Sequence, residues 1–90
     1  MTNMTPDTEY GIVLFDTTQA AIKAEKVLKQ AQIKTKLIPV PRHISSNCGV
    51  SLRFDLQFAS EVESALAAKR VPVAAIQPLE NNAEIHRALD

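Results

Sequence analysis

Two segments restrict the fold more than any other feature of the sequence: residues 10–15 and 50–57 are strongly β-patterned, and neither contains a proline. In the second, Val50, Leu52, Phe54 and Leu56 alternate with Ser51, Arg53, Asp55 and Gln57. That is the period of a strand with one face in a core and the other toward something polar. The first, Tyr10-Gly11-Ile12-Val13-Leu14-Phe15, is apolar at successive positions and reads as a buried strand. Two further β-like segments, 34–40 and 71–79, carry Pro39, Pro72 and Pro78. A proline removes a ladder donor, so these segments read as edges and the proline-free pair as the centre.

Helical patterns lie between the strands. Asp16, Thr17 and Thr18 are N-cap candidates, and Asp16 with Gln19 has the spacing of a capping box. Ala20, Ala24, Val27, Leu28 and Ala31 then form one stripe, with Lys23, Lys26, Gln30 and the Glu25/Lys29 pair away from it. Ser60 and Glu63 mark a second capping box, opening a helix that buries Val62, Ala65 and Leu66. The order β-α-β-β-α-β predicts an α+β, ferredoxin-like fold, with two helices on one face of a four-stranded antiparallel sheet. Residues 1–8 read as a flexible lead-in, 9–80 as the single domain and 81–90 as a short C-terminal helix or tail.

Composition removes several classes of function. Lys+Arg and Asp+Glu balance at ten each, so no overall field draws the chain to nucleic acid or to anionic lipid. The longest apolar run falls far short of the ~20 residues of a membrane span. The N-terminal residues have neither the basic nor the apolar region of a signal peptide. One cysteine cannot form an internal bridge, and a lone thiol in a small domain suggests a reducing, cytoplasmic setting. Gly11 and Gly49 are the only glycines, so phosphate loops and dinucleotide fingerprints are absent. The aromatics are few and lack an RNA-binding motif. No metal-ligand spacing joins Cys48 to His43 or His86, and His43 reads as a surface histidine.

Cys48 is the strongest candidate for chemistry. A thiol acts as nucleophile or sulfur carrier only as thiolate, which requires exposure and nearby positive charge or backbone donors. Arg42 and His43 stand just upstream and Arg53 downstream, and Ser45, Ser46 and Asn47 add polar donors. Gly49 would let the backbone approach closely or take a positive φ. The expectation is a solvent-reachable loop thiol. The alternative is a structural cysteine, because free Cys is among the most buried residue types and Cys48 shares parity with Val50 and Leu52. Arg53 should project from the open face of the sheet, either as an anion-binding group or as a solvated charge paired with Asp55 or Glu61.

The run Leu37-Ile38-Pro39-Val40-Pro41-Arg42-His43-Ile44-Ser45-Ser46-Asn47-Cys48-Gly49-Val50-Ser51-Leu52-Arg53-Phe54 resembles the signature of the selenium/sulfur (Se/S) carrier-like family of small bacterial and archaeal domains. Phe15, Thr17, Thr18 and the run Ala24-Glu25-Lys26-Val27-Leu28-Lys29 are similar to the family pattern upstream. The resemblance implies Cys48 as carrier thiol, with Arg42, Ser45, Ser46, Gly49 and Arg53 as its anion- or partner-binding surround. Two departures stand out: Ala31-Gln32-Ile33 where a glycine often follows the helix, and Asn47 where a serine is common.

The preferred reading is a carrier, not a turnover enzyme. It holds a persulfide or selenopersulfide on Cys48 between a donor and an acceptor protein and needs no cofactor. The alternative is a non-catalytic module whose 42–49 loop binds an anion or a partner. A third is a structural subunit that forms a homodimer through a sheet edge or the open face.

Overall fold

The computed structural model describes residues 9–44 and 47–79. The chain runs β1 (Tyr10–Leu14), α1 (Thr18–Gln30), β2 (Thr35–Pro39), β3 (Val50–Asp55), a 3-10 turn (Leu56–Phe58), α2 (Ala59–Ala68) and β4 (Ala75–Pro78). The strands form one antiparallel sheet in the order β2-β3-β1-β4. This is the ferredoxin-like order that the proline distribution predicts, with the two proline-free strands adjacent at the centre. Pro39 and Pro78 end the edge strands, and Pro72 falls before β4 begins. The expectations for residues 1–8 and 81–90 lie outside the described residues.

One face of the sheet carries the main core. Val13, Phe15, Leu52 and Phe54 pack there with Ala20, Ala21, Ala24, Val27 and Leu28 of α1 and with Val62 and Leu66 of α2. The small alanines on α1 let its axis come close to the sheet. Burying a side chain such as Phe54 contributes on the order of 2–3 kcal/mol. Gly11 sits opposite Phe54 in the β1–β3 register. A Cβ at Gly11 would fall on the Phe54 ring and the Leu56 side chain, so this glycine is required by close approach.

The opposite face is less open than a half-polar β3 suggests. Ile12 and Leu14 are buried there with Leu79, and Tyr10, Ile38, Val40, Ile44 and Ala75 pack against them. Ser51 is also fully buried, and its hydroxyl donates to the Ile38 carbonyl oxygen at 3.3 Å. Both parities of β1 are therefore used for packing, in keeping with its unbroken apolar run.

Of the expected N-cap candidates one is used, and neither capping box forms. Thr17, not Asp16, is the N-cap of α1, and its Oγ1 accepts from the Ala20 N–H at 3.1 Å. Thr17 is the last extended residue before the helix, which leaves Asp16 one position too early. Ala31 is exposed because the helix has already ended at Gln30. The Ser60/Glu63 box is not used: α2 continues directly from the 3-10 turn, and no side chain caps it. Asp55 caps that turn instead, accepting from the Gln57 N–H at 3.1 Å and from Gln57 Nε2 at 3.0 Å. Both helices close with the same motif. Gln32 (φ 63°) and Arg70 (φ 56°) take the left-handed position after their C-caps. The Ile33 N–H donates to the Leu28 carbonyl and the Val71 N–H to the Leu66 carbonyl.

Candidate functional site

The connection from β2 to β3 is closed at its base by the Val40 N–H, which donates to the Gly49 carbonyl at 3.2 Å. Within it the Ile44 N–H donates to the Pro41 carbonyl at 3.0 Å, making a tight turn of the proline and its neighbours. Cys48 lies just inside the base. Although β3 starts only at Val50, the alternation of Val50, Leu52 and Phe54 extends back to Cys48, and its side chain joins the main core.

Cys48 is 4% exposed, which overturns the expectation of a solvent-reachable thiol. The physical reason is that parity: residue 48 falls on the helix side of the sheet, where the start of α1 covers it. Its Sγ lies 3.9 Å from Oγ1 of Thr18, at a distance where either atom could donate. Thr18 is the first residue of α1, so the sulfur sits at the positive end of a 13-residue helix, where the macrodipole favours negative charge. Thr18 is the site residue that the sequence does not mark as such: it reads as a cap candidate and as part of the family-like run. Its signal was the hydroxyl pair Thr17-Thr18, one for the cap and one left over.

Of the other expected members, Arg53 is the one that the sheet holds away from the sulfur. Arg42, His43 and Gly49 are exposed. Gly49 has no positive φ, and a Cβ there would meet nothing within 4 Å, so neither conformational freedom nor close approach is in use. Arg53 is half-buried on the opposite face of the sheet, its guanidinium carbon 4.3 Å from the centroid of the Tyr10 ring in a cation–π contact. Residues 48 and 53 have opposite parity, so the sheet separates them. Asp55, the expected charge partner of Arg53, accepts instead from Gln57. Ser45 and Ser46 lie outside the described residues.

A cleft of about 570 Å³ is formed by other residues, Cys48 not among them. Asp16, His43, Asn47 and Gln77 line it above Leu14 and Ala75. Among the described residues no three of His, Cys, Asp and Glu come together as a metal site. No helix among them is long and apolar enough to cross a membrane. What the arrangement offers chemically is one thiol packed in the core at a helix N-terminus, beside a hydroxyl.

A model of the family described as "Putative Se/S carrier protein-like" matches residues 10–78 of the chain. Neither the curated proteins nor the solved structures give a match.

Proposed function

The chain belongs to this Se/S carrier-like family, and from that premise we propose that Cys48 holds a sulfane sulfur or selenium atom for transfer to a partner. The observation that supports the reading is the seat of the only thiol at the start of α1, beside the Thr18 hydroxyl. Loading is redox-neutral. The Cys48 thiolate attacks the terminal sulfur of a donor persulfide, the donor S–S bond breaks, and the donor leaves as a thiolate. Cys48 then carries the persulfide, and an acceptor thiolate collects its terminal sulfur by the same exchange. Arg42 and Gly49, both exposed, belong to the face that meets the donor.

Because the thiol is covered, loading requires the 41–49 loop to open. The closed state protects the persulfide from stray thiols, and opening exposes it. Incubation of the protein with a small-molecule persulfide, followed by intact mass, is expected to show the gain of one sulfur atom, removed by reductant and absent in Cys48→Ala. A native protein that takes up no sulfur while the denatured chain does would contradict the reading. The burial of Cys48 favours a second reading in that event. There the cysteine is a core residue and the 42–49 loop is a non-catalytic binding surface for an anion or a partner.

A further inference from the structure

The balanced net charge conceals a division of the chain into two halves. Between Thr17 and Ile44 stand Lys23, Lys26, Lys29, Lys34, Lys36 and Arg42 against the single acid Glu25. Since the totals are ten and ten, all other residues together hold nine acids and four bases. The basic segment comprises α1 and the edge strand β2, which pack against each other, and all five lysines are exposed. Lys36, paired with Arg53, lies on the sheet face away from α1, so the strip on the helix side is Lys23, Lys26, Lys29 and Lys34.

The outer side of α1 also carries an apolar side chain where none is needed for the core. Ile22 is 54% exposed, between Gln19 and Lys26 on one shallow groove of about 590 Å³. A second depression, of about 490 Å³, shares Glu25 and Lys29 with the first and continues over Ile33 and Lys34 to the start of β2. From Thr18, which touches the thiol, to Lys29 the helix rises by about 16 Å at 1.5 Å per residue. The strip therefore runs along the outer side of α1.

We propose that this strip is a docking surface for a partner protein that presents an acidic surface with an apolar residue at its centre. An apolar anchor ringed by charge is the anatomy of a specific protein interface, in which the ring steers the approach and the centre supplies affinity. A phosphodiester backbone would have no use for the exposed apolar side chain of Ile22. The surface stands independently of sulfur chemistry, since none of its residues touches Cys48.

The test is an amide chemical-shift titration of the whole chain with a short synthetic peptide of glutamates around a central leucine. Shifts are expected over residues 19–29 and 32–35, with affinity falling as salt rises. Ile22→Ser should weaken binding about tenfold, the order expected when one aliphatic side chain is no longer buried. Lys23→Gln, Lys26→Gln and Lys29→Gln together should abolish it, with amide dispersion retained; glutamine keeps the helix propensity, so loss of binding is not loss of α1. Tighter binding of a thymidine oligonucleotide than of the peptide would overturn the proposal. So would an Ile22→Ser variant that binds unchanged. Self-association at low salt that the lysine variant dissolves would also overturn it, by assigning the strip to the acidic half of a second copy.

Discussion

Cys48 and the two glycines show how differently small residues are used. Gly11 is where a Cβ cannot fit, and Gly11→Ala should lower stability by about 1–3 kcal/mol, the cost of forcing extra volume into a packed core. Gly49 has open space and an ordinary φ, so Gly49→Ala should lie within about 1 kcal/mol of the parent, with gain as the expected sign. Urea midpoints of the two variants check both expectations. Sequence reasoning assigned the conformational role to Gly49 because it adjoins the cysteine. The real signal was Gly11 in a central strand, where a missing side chain marks a close neighbour. Cys48 itself was half-legible: its parity with Val50, Leu52 and Phe54 gave the burial, while its polar neighbours argued for exposure. Parity won because the core side of a sheet does not end where the strand's hydrogen bonds do.

At the scale of elements, the strands were legible and the caps were not. The alternation of β3 and the proline-free run of β1 are properties of several residues at once, whereas a cap depends on a single backbone step. Thr17 and Asp16 both have suitable side chains, and only the extended backbone at Thr17 decides between them. Thr17→Ala should therefore cost about 1 kcal/mol, while Asp16→Ala leaves thermal stability nearly unchanged. The C-terminal ends give an opposite expectation. Gln32 occupies the left-handed position where a glycine is favoured. Gln32→Gly should raise stability by about 0.5–1 kcal/mol, relief of backbone strain outweighing the added freedom of the unfolded chain. Thermal melts of the single variants measure each sign.

For the molecule as a whole, the sheet order followed from where the prolines fall, but the second apolar layer did not. Ile12 and Leu14 announced it only through the absence of alternation in β1, and the residues that meet them come from distant segments around Ile38, Ile44 and Leu79. Composition likewise balanced two oppositely charged halves into a neutral total. The carrier reading rests on a whole-molecule property too: the segment that carries Cys48 must part from the start of α1 while the rest stays folded. The most direct measurement is the rate of native-state alkylation of Cys48 in the parent and in Gly11→Ala. Local opening predicts a rate well above that allowed by global unfolding, and one that hardly changes in the destabilised variant. Alkylation that proceeds only through global unfolding, and so accelerates in proportion to the stability lost in Gly11→Ala, would contradict it and leave Cys48 a residue of the core.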